Sequence, residues 1–328
     1  MKYGVIGTSE ITTRFIEASR EVADFNLSSV YSRTYERAQD FAKRFGAPNI
    51  YTDLEKMAVE GQVDVIYIAS PNSLHFEQVV FFLQKKIHVI CEKPIFSNVK
   101  EFEQAFNVAE ENGVFLFEAA RNIHSPNFKL LKDQVAKIGK VRSAVLQYMK
   151  YSSRYDLVLK GEEPNIFSAN FSGGALVDLG VYPVFVAVSL FGDPKDVAYY
   201  PVMLPTGVDG SGTLVLQYDD FVCTILCSKI TDSFLPNEIH GEKGTVIVDH
   251  ISSIRKLDVL DRVAKSSETI SVPEHENNMV YEIEAFKNII ESKDYKGYEE
   301  LKRISYSTLK ITEAARKFSG IVFTNERE

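Results

Sequence analysis

The chain has 328 residues, and 45 Asp and Glu against 37 Lys and Arg leave a formal net charge of −8. An apolar fraction of 45% suffices for a full core and excludes wholesale disorder, while the acidic balance argues against a nucleic-acid partner. At roughly 100–200 residues per domain, the length predicts two domains. No stretch approaches the ~20 uninterrupted apolar residues of a membrane span. The start, MKYGVIGTSE, enters a strand-like run without the pattern of a signal peptide, and three scattered cysteines make no disulfide framework. A cytoplasmic, globular protein with no membrane partner is expected.

The first third alternates short apolar runs with helical periodicity. Residues 3–7 (YGVIG) read as a buried strand, and Ile11, Phe15, Ala18 and Val22 follow at helical spacing. Residues 27–31 form a second strand and 35–45 a helix closed by Gly46. Residues 63–69 (VDVIYIA) are continuously apolar and end at Pro71-Asn72; 73–84 are again helical, and 87–91 (IHVIC) make another strand. A helix over 99–112 ends at Gly113, and 114–117 form a last strand. Runs apolar on both faces belong to parallel strands covered by helices, so the alternation predicts an α/β doubly wound parallel sheet. After about residue 120 the pattern changes. Residues 141–149, 214–218, 221–227 and 244–248 are strand-like with tight turns between, and helices are predicted over 174–190, 280–291 and 298–318. The second domain is expected to be α+β, with a mostly antiparallel open sheet that its helices cover on one face only. The other face predicts a homo-oligomer, dimer or tetramer.

The first strand runs into Gly7-Thr8-Ser9-Glu10-Ile11-Thr12, a degenerate form of the G-x-G-x-x-G turn that brings a pyrophosphate to a helix N-terminus. Gly7 fits the first position; Ser9 and Thr12 replace the other two glycines. Alone, this is equally the first turn of any doubly wound domain. At the end of the second strand an NAD site carries an Asp or Glu for the ribose hydroxyls. Here stand Tyr31-Ser32-Arg33-Thr34, with Arg37 one turn on. A hydroxyl and two guanidinium groups suit a 2′-phosphate, which favours NADP with NAD as the alternative; the plain reading is a solvated basic helix start.

Three ordered motifs go further: Ser70-Pro71-Asn72-Ser73-Leu74-His75, Cys91-Glu92-Lys93-Pro94, and Ser172-Gly173-Gly174-Ala175-Leu176-Val177-Asp178-Leu179-Gly180-Val181-Tyr182. Together they resemble the glucose–fructose oxidoreductase/inositol dehydrogenase (Gfo/Idh/MocA) family, and the match extends over essentially the whole chain. The resemblance implies a Rossmann domain over 1–120 and a substrate-binding and oligomerisation domain over 121–328. It also implies a nicotinamide in the cleft between them and hydride transfer to or from a sugar-like or polyol carbon. Glu92 is expected at the nicotinamide ribose, with a loop-fixing role as the alternative. Pro71 and Asn72 are expected to shape the nicotinamide loop, and Ser70 and His75 to touch the cofactor, with helix capping an equal reading of His75. The family's reacting groups fall on Lys93, Asp178 and Tyr182. Tyrosine where many members carry histidine resembles the glucose–fructose oxidoreductase, xylose dehydrogenase and dihydrodiol dehydrogenase branch.

The chemistry agrees. Oxidising an alcohol needs a proton acceptor on its oxygen, and the reverse reduction a donor. A phenol of pKa near ~10 is a poor base at neutrality, and an ammonium within reach lowers it. Tyr182 is therefore the expected acid/base, Lys93 the group that polarises the oxygen, and Asp178 an orienting group four residues before Tyr182 on one helical face. Taken singly, Asp178 also reads as a helix cap and Tyr182 as a core residue. Arg121, Asn122 and His124 follow the last parallel strand where substrate contacts are expected; Arg154, Tyr155 and Asn165 are weaker candidates of the same kind. The six histidines and three cysteines show no metal-site spacing. A dihydrodiol or aldose-type dehydrogenase, and a cofactor-binding sensor without turnover, remain the competing functions.

Overall fold

The computed structural model describes residues 1–326. In chain order the first part is β1 (Lys2–Ile6), α1 (Glu10–Ser19), β2 (Asn26–Tyr31), α2 (Tyr35–Phe45), β3 (Asn49–Tyr51), α3 (Leu54–Glu60), β4 (Val65–Ile68), α4 (His75–Gln84), β5 (His88–Glu92), α5 (Val99–Asn112) and β6 (Leu116–Ala119). The six strands pair in parallel in the order β3-β2-β1-β4-β5-β6. This is the doubly wound sheet that the alternation predicts, with its switch point between β1 and β4. β4 is buried along its whole length, as a strand covered on both faces must be. The helix ends follow local chemistry: Asp53 and Asn98 accept the amides of Lys56 and Glu101, and Gly46 and Gly113 close α2 and α5 in the left-handed region. Under the sheet, Tyr3 stacks on Phe25 at 4.6 Å and Phe15 on Tyr67 at 3.7 Å.

The chain continues through α6 (Pro126–Val135), β7 (Val141–Met149), α7 (Tyr155–Val158), a π-helical turn Leu176–Gly180, α8 (Val181–Phe191), β8 (Asp196–Met203), β9 (Asp209–Gln217), β10 (Val222–Ser228), β11 (Asn237–Gly241), β12 (Gly244–Val248), β13 (Leu257–Asp261) and β14 (Ser266–Thr269). It ends with α9 (Met279–Ser292) and α10 (Tyr295–Phe318). The eight strands pair β14-β13-β12-β11-β7-β10-β9-β8, antiparallel except for the parallel pair β7 and β10. Leu214, Leu216, Cys223, Ile225, Cys227 and Ile239 bury one face of this sheet with α8. The intervening residues Thr213, Val215, Thr224 and Leu226 are only partly buried, so one face is left open. The helical run Ala169–Phe191 has 23 residues and a mean hydropathy of 1.9, enough by length and composition to cross a membrane, yet 72% of its apolar window is buried inside the structure. It is a core helix.

Two compact units result: Met1–Ala119 with His275–Arg303, and Ala120–Glu274 with the residues from Ile304 onward. A single division after residue 120 misses the return of α9. That helix lies beside α1 in the first unit, where Asn277 Nδ2 donates to the Arg14 carbonyl at 2.7 Å.

Candidate active site

In the first unit the turn after β1 has one residue that must be glycine. Gly7 has φ +105°, and a Cβ there would lie 2.6 Å from the Ala69 carbonyl oxygen. Ser9, by contrast, has φ −87° and stands at the N-cap position of α1 without a side-chain bond to a helix amide, its Oγ 3.3 Å from the Oγ1 of fully buried Thr12. Neither departure from glycine strains the backbone. The amides of Glu10 and Ile11 open the helix as an anion-facing end beside half-buried Thr8. At the end of β2, Ser32 is buried and donates its amide to Tyr51 at 3.2 Å. Arg33 and Arg37 are exposed and make no ion pair among the described residues.

The loops after β4 and β5 are tied together by His75. This residue is fully buried; Nε2 lies 2.9 Å from the Ser70 carbonyl, and Nδ1 lies 3.0 and 3.2 Å from those of Pro94 and Ile95. The expectation that His75 touches cofactor is thus corrected: the ring is fully buried, with loop carbonyls on both sides of it. Ser70 Oγ donates to Gln78 at 2.7 Å. Pro71 precedes the 3₁₀ turn Asn72–Leu74. Glu92 is 7% exposed; it accepts the Tyr67 hydroxyl at 2.5 Å and the Lys93 amide at 3.2 Å, and so helps to fix the loop. The Ile95 amide is held by Glu118 at 2.9 Å. Lys93 therefore rises, half-buried, from a backbone fixed on both sides.

In the second unit the motif of glycines builds a sharp entry to the helix. Gly174 has φ +127°, and a Cβ on it would run into the Asp209 carboxylate; a Cβ on Gly173 would meet the Ile166 carbonyl at 2.8 Å. Asp209 is buried and accepts the Leu176 amide at 2.7 Å and the Tyr199 hydroxyl at 2.6 Å, which pins the start of the π turn. Because that turn is bonded i to i+5, Asp178 and Tyr182 are not simply four apart on an α-helical face. Asp178 receives the Lys229 ammonium at 2.5 Å. Tyr182 is 6% exposed, its ring edge-on to Tyr148 at 5.6 Å and beneath the Arg121 guanidinium at 5.6 Å. Tyr148 also meets His250 at 4.8 Å.

Asn122 is corrected. It is 1% exposed and its Nδ2 donates to the carbonyls of Tyr182 at 3.1 Å and Ile251 at 3.2 Å, so it anchors the backbone of α8 rather than facing substrate. Asn165 is exposed at the head of the 3₁₀ turn Asn165–Phe167; Arg154 is exposed too, and Tyr155 packs on Phe167 at 6.0 Å.

A family model described as "Oxidoreductase family, NAD-binding Rossmann fold" matches residues 1–120, and one for the GFO/IDH/MocA C-terminal domain matches residues 128–247. The chain belongs to the GFO/IDH/MocA oxidoreductases. It is 43% identical over 323 residues, 98% of each chain, to a protein from Bacillus subtilis (strain 168) named scyllo-inositol 2-dehydrogenase (NADP(+)) IolU. It is 28% identical to trans-1,2-dihydrobenzene-1,2-diol dehydrogenase of Danio rerio, covering 76% of this chain and 74% of that one. Its fold matches a 3-ketoreductase from Actinomadura kijaniata in complex with NADP and TDP-benzene at a TM-score of 0.84 and 23% identity, covering 97% of each.

This oxidoreductase fits its dinucleotide by an observation of its own. The Gly7 turn, which no residue with a Cβ could make against the Ala69 carbonyl, leads into the N-terminus of α1, and the exposed guanidinium groups of Arg33 and Arg37 follow β2. The residue that sequence reasoning missed is Lys229, one step beyond β10, which no motif marks.

Burial also sets the histidine charges. His75, His88 and His250 are pushed below their ordinary range, and burial takes His124, helped by Lys129, down to about 4. A folded-state value below the unfolded ~6.5 means that the unfolded chain takes up protons first. Stability is therefore full above pH ~6.5 and is lost as pH falls toward the folded values, His124 alone contributing about 3 kcal/mol. Asp209, pushed up by burial, acts in the opposite sense, and its contribution falls in the carboxylate range below that of the histidines. A melting temperature unchanged between pH 7 and 4.5 contradicts this balance.

Proposed function

We propose that this oxidoreductase is NADP-preferring and acts on the CH–OH or carbonyl carbon of a polyol or sugar-like substrate. When bound, the nicotinamide supplies or accepts the hydride. In this reading Tyr182 exchanges the proton on the substrate oxygen, Lys93 polarises that oxygen, and Asp178 orients the neighbouring part of the substrate. The observation that carries it is the placement of Tyr182. A phenol in the motif helix is held by Tyr148 on one side and faced by the Arg121 cation on another, while its backbone is fixed by Asn122. The cofactor preference rests on Ser32, Arg33 and Arg37, with no carboxylate between residues 31 and 35. The substrate class draws on the B. subtilis relative, whose name specifies scyllo-inositol and NADP(+).

The test is a fluorescence titration with NADPH and NADH, which the absence of tryptophan leaves free of background. It is followed by turnover on inositols, aldoses and dihydrodiols. NADPH is expected to bind preferentially. Arg33→Ala should weaken NADPH by about 10- to 100-fold, the scale of one charge-assisted hydrogen bond, with little change for NADH. An equal effect on both cofactors removes the 2′-phosphate assignment. Turnover confined to dihydrodiols or aldoses selects that branch, and binding without turnover of any class puts the sensor reading first. The open face of the eight-stranded sheet, with Tyr200 and Val202 exposed on β8, fits self-association of this chain. A monomer by light scattering removes that part.

A further inference from the structure

We propose that Lys229 is a positioning residue that keeps Asp178 ionised and aimed. The proposal rests on the reading that Asp178 meets the substrate. The Lys229 side chain is 2% exposed, whereas that of Asp178 is 32% exposed, so the pair has one sealed end and one accessible end. Burying an ammonium is costly unless its donors are met. Here Nζ donates to Asp178 Oδ2 at 2.5 Å and to the Ile166 carbonyl at 3.0 Å, and it stands 4.7 Å over the Phe167 ring.

Each of these anchors is itself fixed. The Lys229 amide donates to Gly210 at 2.8 Å, which extends the pairing of β9 and β10 by one residue. Ser228 Oγ accepts the amides of Ile230 at 3.1 Å and Thr231 at 3.0 Å, and so shapes the turn that follows. The 165–167 turn lies against Gly173, where no Cβ could stand, and Asp209 pins the start of the π turn. An exposed lysine would swing with solvent. This one cannot, and so it fixes where the Asp178 carboxylate lies and that it carries charge.

Other titratable groups face the pair. Asp209 of β9 interacts electrostatically with Lys229; Tyr199 of β8 donates to Asp209, and Cys227 of β10 lies beside both. Burial pushes Asp209, Tyr199 and Cys227 up, so of these three Asp209 is the one able to imitate an Asp178 titration. The experiment therefore separates the two carboxylates.

Lys229→Met is expected to move the acidic limb of the kcat/KM profile up by at least one pH unit. It should raise KM for the polyol about tenfold at pH 7 and leave NADPH affinity within twofold. In an Asp178→Asn background the same change should cost less than twofold further, which excludes Asp209 as the source. An unshifted limb, or an independent loss in both backgrounds, overturns the proposal and leaves a purely structural pair. Asp178→Asn with unchanged kcat/KM shows instead that the substrate role of Asp178 was wrong, and the proposal falls with it. If Lys229→Met does not fold, carboxyl ¹³C NMR of the unaltered chain decides, with Asp178→Asn for assignment. Titration of Asp178 below the ordinary carboxylate range supports the proposal, and titration at or above that range overturns it.

Discussion

Lys93→Ala and Tyr182→Phe are each expected to lower kcat/KM by about 10²- to 10⁴-fold, the scale of a lost acid/base or oxygen-polarising group, while NADPH affinity changes only a few-fold. Both substitutions are mild to the fold. The Lys93 backbone is held by Glu92, and the loop beyond it by His75 and Glu118 acting on Pro94 and Ile95, none of which depends on the lysine ammonium. Phenylalanine at 182 keeps the ring that meets Tyr148 and Arg121 and removes only the hydroxyl. Steady-state kinetics in both directions separate the roles. Loss of the proton-exchanging group depresses oxidation and reduction alike, and combining the two changes should cost less than the product of the single losses, as for groups that act as a unit. Near-normal turnover by either variant contradicts its assignment. If no substrate turns over with the unaltered chain, the pair has no chemistry to lose and the molecule is a sensor.

The three motifs were legible because each is contiguous and ends a strand or opens a helix, so residue order carried the position of Lys93, Asp178 and Tyr182. Side-chain direction was not legible. His75 sits beside the cofactor loop in sequence, yet it points inward between loop carbonyls; Asn122 adjoins Arg121 but turns to the backbone of Tyr182. Lys229 was invisible because its partner is 51 residues away and the pairing exists only in the folded unit. The same distinction holds for the fold. Parallel strands buried on both faces announced themselves as apolar runs, whereas β3 is three half-buried residues and β14 is wholly exposed, so neither carries a hydrophobic signal. The return of α9 to the first unit is a long-range fact that no local pattern encodes.

Gly7→Ala should destabilise the first unit by about 3 kcal/mol or more and abolish tight NADPH binding. Two costs add. A φ of +105° is disfavoured for any residue with a Cβ, by roughly 1–3 kcal/mol, and the new methyl would meet the Ala69 carbonyl oxygen at 2.6 Å. That oxygen cannot retreat, because Ala69 is the residue next after β4 and its amide is bonded to Ile6 at 2.9 Å. Relief must come from shifting the turn that aims the first amides of α1, the groups on which a pyrophosphate depends. Ser9→Gly is the control. With φ −87° at Ser9, glycine gains no conformation the serine lacks, and it loses the contact with Thr12. Restoring the second glycine of the fingerprint should therefore leave NADPH affinity within about threefold and lower stability by a few tenths to 1 kcal/mol. Thermal unfolding and NADPH titration of the two variants decide. A Gly7→Ala chain that melts and binds as the original does would mean the turn is softer than its geometry. A Ser9→Gly chain that binds much tighter would mean that the serine, and not the fold, had been limiting the cofactor site.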